Sequence, residues 1–226
     1  NPGPVKATLR ISGRWSLPGA CAASRADRSA RSTICPIVSE ISLTPGIRRI
    51  DIHTSVENKA KDHRLRVAFD VPYTVDHVAV EGTFEVLTRP VAQPVPPDVT
   101  EWAEAPVNVF PQKRFVDISN GEIGLGILNR GLPEYEVIYI NDQPDRGVDT
   151  NAVQGGQAVA ITLLRCIEWL SRGDLATRPG HAGPMEYTPE AQCLGHYEFD
   201  YALVPHRGTW ESENGLVVRE AQIFNT

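Results

Sequence analysis

The chain of 226 residues is long enough for one large all-β domain or two small ones, with a core that needs no disulfide staples. Its composition, 41% hydrophobic and 22% charged, is that of an ordinary globular protein and excludes intrinsic disorder. A net charge of -6 without any basic run excludes the footprint of a nucleic-acid or anionic-membrane binder, and no apolar stretch approaches the roughly 18 residues of a membrane helix.

Val5 to Ser12 alternates apolar and polar residues, as a strand with one buried face does. Ile34 to Leu43 returns as a second strand, so the opening of the chain predicts a long hairpin about the solvated loop of Arg25, Arg28 and Arg31. Cys21 and Cys35 lie almost symmetrically about that loop and could be bridged. The four cysteines show no Cys-x-x-Cys spacing, however, and without a secretion signal free thiols in a reducing cytoplasm are favoured. Thr44-Pro45-Gly46 is a turn, because Pro presets its φ and Gly accepts a positive one. Arg48 to Val56 alternates again, and Arg64 to Phe69 is expected to pair back onto it across a connection from Glu57 to His63.

Thr83 to Thr88 reads as a further strand. The span 90–111 holds six prolines and predicts an extended crossover between two sheets within one domain of residues 1–226. Strands resume at Arg114 to Ile118, Gly124 to Leu128 and Tyr135 to Ile140, followed by a polar loop over 141–157. Val159 to Leu164 is a buried strand, and a long Gly/Pro loop runs from Trp169 to Gly195. Gly195 to Val204 then alternates, with Tyr197, Phe199, Tyr201 and Leu203 on one face. Val217, Ala221 and Phe224 recur at i, i+4 and i+7 and predict a short C-terminal helix. The only Met is Met185 and this helix runs to the chain end, so the sequence reads as a piece excised or processed from a longer protein.

His53 with His63, and His196 with His206, lack close spacing or a clustered carboxylate. They read as surface or core histidines, and no metal is expected in this segment. Gly121-Glu122-Ile123-Gly124-Leu125-Gly126 has the look of a nucleotide loop, but strand residues follow it where a helix is needed. Glu168 and Asp174 beside Trp169 could mimic an acid pair at a sugar-stacking ring, although a polar loop is the simpler account. Two turns are stronger. Asn129-Arg130-Gly131-Leu132-Pro133-Glu134-Tyr135 gathers an amide, a guanidinium, a carboxylate and a phenol, and Asp62-His63-Arg64-Leu65-Arg66 is similar. The candidate residues are therefore His63, Arg64, Asn129, Arg130, Glu134 and Tyr135, facing a sugar or a neighbouring domain or stabilising the turns themselves.

These segments, together with Phe115-Val116-Asp117-Ile118-Ser119-Asn120-Gly121 and Tyr201-Ala202-Leu203-Val204-Pro205-His206, resemble the C-terminal β-sandwich region of glycoside hydrolase family 38, the α-mannosidases. The likeness is to the bacterial and archaeal branch that includes mannosylglycerate hydrolase. It implies an all-β supersandwich of antiparallel sheets like that of galactose mutarotase. It also implies a cytoplasmic, retaining, zinc-dependent parent enzyme whose nucleophilic Asp and zinc ligands lie in an N-terminal catalytic domain absent here. A retaining glycosidase needs two carboxyl groups about 5 Å apart, and none of the segments present resembles the domain that supplies them. The implied partners are that catalytic domain and a mannoside, with a homo-oligomer open. The alternative is a carbohydrate-binding or protein-interaction sandwich without hydrolase chemistry.

Overall fold

A computed structural model describes residues 5–93, 104, 106–140, 156–175 and 178–226. Among these the chain forms β1 (Ala7–Pro18), β2 (Ser32–Leu43), β3 (Ile50–Asn58), β4 (Arg64–Val71), β5 (His77–Glu81), β6 (Val86–Pro90) and β7 (Val109–Pro111). It continues with β8 (Phe115–Ser119), β9 (Ile123–Asn129), β10 (Glu134–Tyr139), β11 (Gln157–Arg165), β12 (Asp174–Leu175), β13 (Arg178–Pro179), β14 (Gly195–Arg207) and the helix α1 (Ser212–Phe224). An eight-stranded sheet runs in the order β1-β2-β3-β14-β9-β8-β5-β6. A four-stranded sheet, β4-β11-β10-β7, faces it, and β12-β13 is a small ribbon. This is the all-β sandwich of antiparallel sheets, with one short C-terminal helix, that the sequence predicts.

The main core forms where the two inner faces meet. Ile52, Val56, Val80, Val116, Ile118, Ile127, Phe199 and Tyr201 come from the large sheet, and Leu65, Val71, Phe110, Tyr135, Val137, Val159 and Ile161 from the small one. Strand β14 is apolar on both faces. Phe199 and Tyr201 enter this core, whereas Ala202 and Val204 lie on the outer side under Leu216, Val217, Ala221 and Phe224 of α1. Glu213, Asn214 and Gly215, at the start of α1, have left-handed backbones (φ 52, 62 and 67), so the regular turns begin at Leu216, where the apolar periodicity starts.

Two expectations need correction. Arg64 to Phe69 does not pair back onto β3; β4 leaves for the other sheet and pairs with β11, Val67 opposite Ile161. The strand placed at Thr83 to Thr88 is shifted to β6 and pairs with β5, an element the sequence pattern does not single out; Val78 and Val80 bury one face of that strand. Cys35 stands opposite Trp15 in the hairpin and Cys21 pairs with Arg28, so both are free thiols in this structure, the reading favoured above. Strand β6 ends at Pro90 on the edge of the large sheet and β7 starts at Val109 on the edge of the small one. Most of the Pro-rich segment between them, and nearly all of the 141–157 loop, lie outside the described residues.

Candidate functional site

Three connections converge at one end of the sandwich: the β1–β2 loop, the β3–β4 turn and the long segment between β11 and β14. Asp62 ties them together. Its backbone is left-handed (φ 55), a conformation an Asp tolerates because its short side chain can bond locally. The carboxylate accepts from the Cys21 N–H at 3.0 Å and from Gln192 Nε2 at 2.6 Å, and the Asp62 N–H returns a bond to Gln192 Oε1 at 2.8 Å. Arg28 adds its guanidinium to the carbonyls of Asp62 (2.5 Å), Lys61 (3.1 Å) and Pro18 (3.2 Å). Desolvation works against the charge on Asp62, but the bonds from Cys21 and Gln192 outweigh it and hold its pKa below the usual range.

Two hollows flank this hub. A cleft of about 460 Å³ is lined by Arg25, Asp62, Glu168, Trp169, Arg172 and Arg178 among others. The Trp169 ring sits 5.2 Å from Tyr187, the Arg172 guanidinium lies 5.4 Å from the centre of the indole, and the indole N–H donates to Glu168 at 3.1 Å. Glu168 and Asp174 are not paired with each other. Arg25 lies 3.6 Å from Glu168, and Arg172 grips Asp174 through two bonds of 2.7 and 2.6 Å, keeping its pKa down to about 2. On the other side a more apolar groove of about 390 Å³ runs between Trp15, Leu17, Arg28, His63, Arg64 and Leu65.

The six sequence candidates do not form one site. His63 and Arg64 line the groove beside Trp15, and burial pushes the pKa of His63 down, favouring a neutral ring. Arg64 reaches Glu134 at 3.4 Å and Glu136 at 2.9 Å, and Glu134 also accepts from the Thr162 hydroxyl at 2.6 Å, so these two candidates do meet across β4, β11 and β10. Asn129 is wholly buried. Its amide donates to the Lys113 carbonyl and accepts from the Leu132 N–H, which fixes the turn after β9. Tyr135 is also wholly buried, its ring stacked 5.8 Å from Phe110, and burial pushes its phenol up to about 12. Arg130 turns to the helix, donating to the Phe224 carbonyl at 2.6 Å with its guanidinium 4.4 Å from the Phe224 ring centre.

The residues that organise this end, Asp62, Arg28 and Gln192, are not among the sequence candidates. Asp62 stands within the segment singled out, but its partners are 41 and 130 residues away in sequence. No local pattern marks such a hub.

A family model described as "Glycosyl hydrolases family 38 C-terminal domain" matches residues 2–168, most of the chain. The chain belongs to this family. The family 38 domain is 32% identical over 193 residues to a protein of Halalkalibacterium halodurans named "Putative mannosylglycerate hydrolase", covering 85% of this chain and 18% of that protein. It is 28% identical over 199 residues to the "Alpha-mannosidase" of Saccharomyces cerevisiae, covering 84% of this chain and 14% of the yeast protein. Two crystal structures from Enterococcus faecalis, one of a family 38 protein and one of an α-mannosidase, superpose with a TM-score of 0.73. They are 27% and 29% identical and cover 97% of this chain, but only 23% and 22% of theirs. The domain thus spans less than a quarter of each of these relatives.

The carboxyl groups of Asp62, Glu81, Asp174 and Glu213 are all held towards the ionised form by their hydrogen-bond partners. A glycosidic general acid needs the opposite shift. Among the described residues no three His, Cys, Asp or Glu side chains gather as a metal site requires, and no helix is long and apolar enough to cross a membrane.

Proposed function

We propose that this domain is the non-catalytic C-terminal part of a retaining α-mannosidase acting on mannosides or mannosylglycerate. In this reading a separate N-terminal domain holds the zinc and the catalytic carboxylates. The C-terminal domain braces it and shapes one side of the substrate site. The observation that supports this most directly is the overhang of the large sheet. Residues opposite one another in an antiparallel pair share a face, so the inner face passes from Ile52 to Ile41 to Leu9, and from Val56 to Ile37 to Gly13. Burial falls away along that path. Ile52 and Val56 are 8% and 4% exposed, whereas Leu9, Ile11 and Trp15 of β1 are 61%, 52% and 42% exposed. A core-facing apolar surface left uncovered in this way marks a docking face, and the partner we assign to it is the rest of the same polypeptide. The Trp15 groove and the Trp169 cleft open at the same end, where Arg172 and the aromatic rings could meet sugar hydroxyls. The four free thiols favour a cytoplasmic location.

Hydrolysis of a chromogenic α-mannoside tests the assignment, with this domain and the separately expressed upstream part assayed alone and mixed, zinc present throughout. Activity confined to the mixture is expected. Turnover by the isolated domain would overturn the reading. Silence in the mixture, with the upstream part shown to be folded, would favour a free-standing binding module.

A further inference from the structure

Cys166 follows the last residue of β11 in the small sheet, and Cys193 stands two residues before β14 in the large one. The 167–192 segment lies between them, yet one side chain and one carbonyl hold both residues together. Asn58, buried at the end of β3, holds both ends, donating from Nδ2 to Cys166 Sγ at 3.4 Å and to the Cys193 carbonyl at 2.6 Å. The Ala191 carbonyl repeats the arrangement, accepting the Ile167 N–H at 3.0 Å and the Cys193 thiol at 3.5 Å. Cys193 has a left-handed backbone, φ 50, that turns the chain back towards Cys166. The other thiols are engaged elsewhere, Cys35 with the Lys59 N–H and Cys21 with Arg28.

We propose that Cys166 and Cys193 are an oxidisable pair whose disulfide fastens both ends of the 167–192 loop and links the two sheets. The inference does not depend on the function proposed above. Cys193 is partly exposed and Cys166 is buried, so a peroxide meets Cys193 first. Its thiolate attacks one peroxide oxygen, the O–O bond breaks, and the departing hydroxide takes up the thiol proton as water. Cys193 is left as a sulfenic acid. Cys166 then attacks the Cys193 sulfur, the S–S bond forms and the S–O bond breaks. The Cys166 proton goes to the second departing hydroxide, which leaves as water. Two thiols are oxidised and one peroxide is reduced to two waters. Trp169 and Arg172 lie within the clipped loop, so oxidation sets the rigidity of the cleft they line.

The test is titration of the unaltered chain with hydrogen peroxide, alkylation of the remaining thiols, and peptide mapping without reductant. A single linked pair joining the Cys166 and Cys193 peptides, lighter by two hydrogens and restored by dithiothreitol, is expected. Tryptic cleavage inside the loop should slow at least about threefold in the oxidised form, since a pinned segment opens less often. Cys166→Ser should stop at Cys193 sulfenic acid, detected as its dimedone adduct. Continued alkylation of both residues at peroxide doses that oxidise Cys21 would overturn the proposal, and so would a link joining Cys193 to Cys21. The mapping uses the unaltered chain, so its outcome holds whether or not the variants fold.

Discussion

His206 and Asp117 form a pair inside the protein, Nε2 to Oδ1 at 2.6 Å, with side chains 1% and 0% exposed. Burial opposes the charged imidazole, but the bond to Asp117 outweighs it and the net shift of His206 is upward. A folded-state pKa above the unfolded value of about 6.5 means that this stabilisation is fully present below pH 6.5 or so and is lost as pH rises through the folded value. Urea midpoints measured from about pH 6 upwards should therefore fall with pH, and His206→Gln should flatten that slope. Asp62 behaves oppositely. Its pKa is depressed, so its contribution is present above about pH 4 and disappears in acid. Asp62→Ala should cost about 2 kcal/mol, because two partly buried donors lose a charged acceptor and a left-handed residue loses its tolerance. Asp62→Asn keeps the bond to Gln192 and the left-handed tolerance, and should cost only about 1 kcal/mol by the same denaturation assay.

At the scale of elements, α1 is seated on the outer face of β9 and β14 through Gly126 as much as through its own apolar residues. A Cβ added at Gly126 would stand 2.8 Å from Val217 Cγ1, and one at Gly124 would collide with the His206 ring. Gly126→Ala should destabilise by about 1–3 kcal/mol through overpacking, and Val217→Ala in the same chain should recover part of that loss. The rescue is read as a non-zero coupling energy in a double-mutant cycle. The helix itself is visible in the sequence because Val217, Ala221 and Phe224 repeat on one face, and β14 is visible because Tyr197, Phe199, Tyr201 and Leu203 alternate. Partner choice is not. Strand β4 has the alternation of a hairpin return, but its pairing with β11 is a contact across nearly a hundred residues, which periodicity does not encode. Strand β5 is only five residues long and follows a turn-rich stretch, so its pattern is too short to separate from the loop. In the candidate turns the polar residues are constrained, as the sequence suggests. Asn129 and Tyr135 serve the interior and Arg130 the helix, because a side chain's direction depends on packing that sequence spacing leaves open.

At the scale of the whole molecule, two kinds of exposed apolar residue can be told apart by where the sheet places them. Leu9 and Ile11 lie on the core-facing side of the large sheet, beyond the reach of the small one, while Ile223, 56% exposed, lies on the solvent side of α1. In the isolated domain all are already wet, so Leu9→Asp with Ile11→Asp should shift stability by less than about 1 kcal/mol, as should Ile223→Asp. Mixed with the upstream polypeptide the two should separate. If the overhang is covered there, burying two aspartates in its place should weaken association at least about tenfold, with a matching loss of reconstituted mannosidase activity at fixed concentration. Ile223→Asp should leave both unchanged, because Ile223 lies on the solvent side of α1 and not on the overhang. Sedimentation of the mixtures with each variant measures the association directly. Equal weakening by both substitutions would mean that general surface polarity, rather than the inner face of β1 and β2, governs docking.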